Sequence, residues 1–177
     1  METNNEITLY HGTTKEAGEQ ILKCGQIEGS DINQITVNNT ESGYVFFSDT
    51  LGVALHYGSY KQSRNETSPR VPFYVFKLKM SKDMLVDDIY ETTHMKDLGY
   101  DFKSKFYKIK GDVALVNHDC RYAKITSVGI VERMHKNLNT LTNINSAYFH
   151  GDFTTVISET KLFEDSNNVL WKAYKNE

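Results

Sequence analysis

Hydrophobic and polar positions along the chain change period several times, and each change marks an expected element. Residues 7–10 form a short β-rich run that stops at His11-Gly12, and Thr13 with Glu16 three positions on has the form of a capping box. A helix is predicted from there, because Ala17, Ile21 and Leu22 recur at helical spacing and Gly25, after Cys24, suits the left-handed residue that closes a helix. Residues 25–43 are rich in Asn, Thr, Ser and Gly, which predicts a long connection with at most weak strands. The run Gly43-Tyr44-Val45-Phe46-Phe47-Ser48 has strong β propensity. Ser48 or Asp49 can cap a following helix that carries Leu51, Ala54 and Leu55 on one face and ends near Gly58.

Residues 62–70 are polar and turn-like. A clear strand follows over 73–80, with Tyr74, Phe76, Leu78 and Met80 on one face and Lys77 and Lys79 on the other. Further strands are expected at 113–116, 122–131 and 154–158, so the picture is α+β with strands dominating the second half. No repeat, heptad or Pro- or Gly/Ser-rich linker divides the chain, and 177 residues suit a single domain over 1–177. After Met134 the sequence turns Asn- and Thr-rich, which predicts an appended C-terminal element over 134–177. Val169, Leu170, Trp171 and Tyr174 are expected to form a packing segment within it.

Composition narrows the partners more than the chemistry. A net charge of -3 offers no global attraction to nucleic acid or to an anionic membrane, so no clear nucleic-acid-binding surface is expected. No run approaches the ~20 apolar residues of a membrane span and the N-terminus has no secretory pattern, which predicts a cytoplasmic protein. Cys24 and Cys120 suit neither a disulfide framework nor a zinc spacing. His94, His118, His135 and His150 lack metal-ligand spacing, so no metal is expected.

The candidate chemistry begins at His11, which follows a β run and precedes a glycine and a capped helix, a place where backbone amides favour an anionic or hydroxylated ligand. On the second strand Tyr44, Phe46 and Ser48 alternate onto one face, and Tyr57 lies about two and a half turns into the next helix. A His from one strand at a sheet edge and aromatics from another make a cleft for a flat, cationic heteroaromatic ring. Each stacking contact contributes on the order of 1 kcal/mol.

Leu9-Tyr10-His11-Gly12-Thr13, then Gly43 to Asp49 and Ala54 to Tyr57, resembles the first two motifs of the ADP-ribosyltransferase superfamily with the His-Tyr-acid triad. Within it the chain is most similar to the small rifamycin ADP-ribosyltransferases, through Phe73-Tyr74-Val75-Phe76 leading to Val86-Asp87-Asp88, and through residues 122–130 as a closing strand. The resemblance covers residues 7–133 and implies a split β-sandwich with short helices and NAD as substrate. It implies that His11 bonds the nicotinamide-side ribose, that Gly12 presents backbone groups to the carboxamide beside Thr13, and that Phe46 takes the place of the triad Tyr. Tyr57 would be a second stacking aromatic, and Ser48 would line the pocket. The hydroxyl absent from Phe46 could come from Tyr44. The acid is Asp88 or Asp87 by likeness to the rifamycin group, or Asp119 by its place in the wider superfamily.

The implied activity is transfer of ADP-ribose from NAD to an unidentified acceptor (small molecule, protein or nucleic acid) with release of nicotinamide. A silent NAD-binding module and a NAD glycohydrolase are the alternatives. Breaking the bond between nicotinamide and ribose passes through an oxocarbenium-like state, which is why a carboxylate belongs beside the ribose. Acceptor choice is expected to reside in loops 26–42 and 62–70.

Overall fold

The computed structural model describes residues 5–29, 42–63, 71–97, 105–126 and 131–175, so most of the expected loops 26–42 and 62–70 lies outside the described residues. Strand β1 (Glu6–Thr14) runs unbroken through His11 and Gly12, four residues past the expected stop. The reason is its partner: β4 (Phe73–Ser81) pairs with it along its whole length, from Glu6↔Ser81 to Thr14↔Phe73. A well-formed neighbouring strand overrides the weak β propensity of His-Gly. Thr13 is therefore a strand residue. The cap of α1 (Lys15–Cys24) is Thr14, whose hydroxyl accepts from Ala17 N at 3.3 Å. Gly25 closes that helix as expected, with φ 74° and its N–H bonded to the Ile21 carbonyl.

Next come β2 (Gln26–Ile27), β3 (Tyr44–Ser48) and α2 (Leu51–Ser63). Helix α2 does not end near Gly58. A Cβ there would lie 2.4 Å from a ring carbon of Phe73, so this glycine lets the helix lie flat on β4 instead of terminating it. Strand β4 alternates as expected, with Tyr74, Phe76, Leu78 and Met80 in one core. Its first residues, Phe73 and Val75, are buried on the opposite face as well.

The remaining elements are β5 (Val86–Asp87), α3 (Ile89–Asp97), β6 (Phe106–Lys110), β7 (Val113–Ala114), β8 (Asp119–Ile125), α4 (Val131–His150), α5 (Phe153–Asp165) and β9 (Lys172–Ala173). The expected strand at 113–116 is only β7, followed by a short 3-10 turn, Leu115–Asn117. The strand expected at 122–131 begins earlier, at Asp119, and the chain is helical by Val131. The strand expected at 154–158 is wrong, because those residues lie inside α5. Its N-cap Asp152 accepts from Thr155 N at 3.0 Å, and Val156, Thr160 and Phe163 form a buried stripe at helical spacing. Helices, not strands, fill residues 131–165, and α4 at 20 residues is not short.

The architecture is α+β. Among the described residues one sheet has the order β5-β6-β3-β1-β4-β8-β9, every neighbouring pair antiparallel, with β2 and β7 as a separate two-stranded pair. Helices α2, α4 and α5 cover one face, where Leu55, Phe73, Ile125, Ile144, Val156 and Phe163 are buried together. On the other face Leu9, Ile21, Val45, Phe47, Phe76 and Leu78 pack under α1 and the small sheet. The residues expected as an appendage thus supply part of the core. Trp171 is half-buried against Tyr10, with ring centroids 6.2 Å apart, and Tyr174 packs on the second core, whereas Leu170 is exposed. No described helix is long and apolar enough to cross a membrane.

Candidate functional site

Strand β1 is the middle strand of the seven, so His11 does not sit at a sheet edge. What opens the sheet is a gap in its own ladder. Strands β1 and β3 are joined at the single pair Tyr10↔Ser48, whereas β3 and β6 pair from Tyr44↔Lys110 to Ser48↔Phe106. His11 is the first residue past that junction. Its Nδ1–H donates to the Phe46 carbonyl at 2.9 Å, across the gap between the strands. Burial, then the charge of Lys61, lowers its pKa to about 4 against the opposing effect of that hydrogen bond. The ring is therefore neutral at pH 7. With the proton on Nδ1, Nε2 is left as an acceptor, suited to a ligand hydroxyl.

A cleft of about 670 Å³ surrounds this point, and its walls include His11, Gly12, Thr13, Tyr44, Phe46, Ser48 and Tyr57. All the residues predicted to hold NAD are thus brought together. Gly12 sets how closely the walls approach: a Cβ would lie 1.8 Å from the Ala54 carbonyl oxygen, so only glycine lets α2 rest directly on β1. Phe46 is half-buried over a core formed by Val45 and Phe47. The buried Ser48 hydroxyl accepts from Thr50 N at the approach to α2. Tyr44 stands at the far end of β3, with the Lys108 ammonium 4.8 Å from its ring centre.

The predicted acids separate. Asp119 opens β8 opposite Lys79, exposed, two strands away from β1 and outside the cleft. Asp87 is exposed on β5 opposite Tyr107 and does not line the cleft either. Asp88 does line it and is buried, but it caps α3: its Oδ1 accepts from Glu91 N at 3.3 Å and its carbonyl accepts from Thr92.

The acid that sequence reasoning missed is Glu91. Its Oε1 accepts from Tyr57 OH at 2.6 Å and from Tyr148 OH at 2.7 Å, and the two phenol oxygens are 3.1 Å apart. Burial and the Glu91 charge raise both phenols above 10, so they stay protonated donors. The signal was present in Asp88-Ile89-Tyr90-Glu91, which has the form of a capping box. Here Asp88 N is taken by the Phe106 carbonyl, and the Glu91 side chain turns to the phenols instead. Tyr148 comes from α4, so the C-terminal half reaches the site.

Behind Tyr57 lies a second polar layer. His56 is buried, stacks on Tyr148 at 4.0 Å between ring centres, and donates from Nδ1 to Asn145 Oδ1 at 2.8 Å. Burial holds it at about 4 despite that bond. His94, set aside on spacing, lines the cleft as well. Among the described residues no group of three or more His, Cys, Asp or Glu side chains is placed to hold a metal ion.

No protein-family model, curated protein or solved structure matches the chain.

Proposed function

We propose that the cleft binds NAD and that the protein is a NAD-dependent mono-ADP-ribosyltransferase on a split β-sandwich of the ADP-ribosyltransferase type. The observation that carries this reading is the convergence on one opening of His11 from β1, Phe46 from β3, Tyr57 from α2 and Glu91 from α3. Neutral His11 offers Nε2 to a ribose hydroxyl, and Phe46 and Tyr57 offer ring faces to the nicotinamide. The bond from C1′ to the pyridinium nitrogen breaks with its electron pair passing to that nitrogen, which becomes neutral. The acceptor nucleophile bonds to C1′ and releases a proton. The Glu91 carboxylate, with Asp88 one turn before it, stabilises the ribosyl cation that develops between these events.

The test is incubation with NAD while free nicotinamide and bound NAD are followed. Release that depends on an added acceptor supports the transferase, and release into water alone supports a glycohydrolase. NAD bound with no release points to the second reading, a silent module. That reading is favoured by the missing hydroxyl at Phe46 and by the two phenols already bonded to Glu91. Neither binding nor release would end the NAD reading altogether.

A further inference from the structure

We propose that Lys61 is the anion-binding residue of the cleft and receives the diphosphate of a dinucleotide, an assignment that rests on the NAD reading of this same cleft. Lys61 is four residues after Tyr57 on α2, one turn further along the same side, and its Nζ is 5.7 Å from the Tyr57 ring centre. It lines the cleft and its side chain is exposed. It has no ion-pair partner among the described residues. Glu91 and Asp88, two carboxylates of the cleft, accept hydrogen bonds from phenols and from the backbone of α3 respectively, and neither is within ion-pair distance of the Lys61 ammonium.

Lys61 is near enough for its charge to lower the pKa of both His11 and His56, and it lines the same cleft as His11, so an anion drawn to Nζ enters the cleft that holds His11. Desolvation of its ammonium by the cleft walls lowers its own pKa, with no acid acting the other way, although the residue as a whole keeps solvent-exposed surface. A cation in such a place gains most from a ligand that brings the missing negative charge. In NAD only a ribose separates the nicotinamide ring from the diphosphate, so a cation this near the stacking ring is within the ligand's span. The neighbouring Gln62 is committed elsewhere, capping α1 by accepting from Lys15 N at 2.8 Å, which anchors this turn of α2 against α1.

The experiment compares the wild-type chain with Lys61→Met, which keeps the aliphatic stem, and Lys61→Arg, which keeps the charge. ADP-ribose, nicotinamide and inorganic pyrophosphate are titrated separately into each. Lys61→Met is expected to weaken ADP-ribose about 10-fold or more and to abolish pyrophosphate binding, while nicotinamide is unchanged. Lys61→Arg should restore most of the loss. Raising the salt should weaken ADP-ribose in the wild type far more than in Lys61→Met. Equal ADP-ribose affinity in wild type and Lys61→Met overturns the assignment and leaves the NAD reading standing. Pyrophosphate binding lost in Lys61→Met, with neither ADP-ribose nor nicotinamide bound by the wild type, keeps the anion site and removes the NAD reading. Failure of the wild type to bind either phosphate ligand overturns the assignment, whatever nicotinamide does.

Discussion

His11 joins two strands that otherwise meet at one residue pair, and it does so through a single hydrogen bond to the Phe46 carbonyl. Its structural share is therefore small, about 1 kcal/mol, whereas the ribose contact it would make acts on the reaction. His11→Ala is expected to keep a cooperative melting transition and to lose ~100-fold or more in nicotinamide release, about 2.7 kcal/mol or more of transition-state stabilisation. Loss of the melting transition would show the residue to be structural instead. Glu91→Gln keeps an acceptor oxygen for the phenols but removes the charge. Turnover should fall ~100-fold with NAD affinity little changed, while Asp119→Asn, on the exposed start of β8, stays near wild type. Steady-state kinetics on the pair decide the acid: a severe Asp119→Asn beside a mild Glu91→Gln would refute the cleft assignment. Phe46→Tyr should be tolerated, since the ring is half-buried and stacking needs only its face.

At the scale of elements, two close approaches hold the site together. Helix α2 crosses β1 at Gly12 and β4 at Gly58, and the first of these places Tyr57 across from His11. Gly12→Ala drives a methyl into the Ala54 backbone, which no rotamer relieves. Unfolding free energy should drop by about 1–3 kcal/mol, read from denaturant midpoints, with NAD binding weakened because the cleft wall has moved. An unchanged midpoint would mean that α2 is free to shift away from β1. Asp88→Ala removes the cap of α3 and is expected to cost about 1 kcal/mol. Its effect on turnover should be smaller than that of Glu91→Gln, because Asp88 is held by backbone groups while Glu91 presents its carboxylate among the cleft's phenols.

Across the whole molecule, the two neutral histidines couple stability to pH. His11 and His56 sit at about 4 in the folded chain, below the unfolded value near 6.5. Above pH ~6.5 both states are neutral and the contribution is fully present. As pH falls from there towards about 4 the unfolded chain takes up protons that the folded chain refuses, so stability declines. The slope is up to ~1.4 kcal/mol per pH unit for the buried His56 and less for the half-buried His11. Urea midpoints between about pH 7 and about pH 5 measure it, and a flat profile would show that these rings are solvated. Removing residues 131–177 should abolish cooperative unfolding altogether, because Leu141, Ile144, Val156 and Phe163 are buried in the same core as Leu55 and Phe73.

What the sequence determined by itself is local. The β run at 44–48, the strand at 73–80, the end of α1 at Gly25 and the aromatic spacing from Phe46 to Tyr57 follow from propensity, alternation and caps, which act over a few residues. The same local signals misread 154–158, where β-branched residues suggested a strand but an Asp cap and a stripe facing α2 and α4 made a helix. Only the tertiary structure decided that β1 continues past His11, since its pairing with β4 outweighs the glycine. It also decided which acid enters the cleft. Asp119 and Glu91 are equally charged letters in the sequence, and nothing within a few residues of either says that one faces away while the other meets a phenol from α4, 57 residues further along. Side chains so far apart in the chain are joined only by packing, so Glu91, Tyr148 and the open ladder between β1 and β3 became legible once the sheet order and the helices on its face were in place.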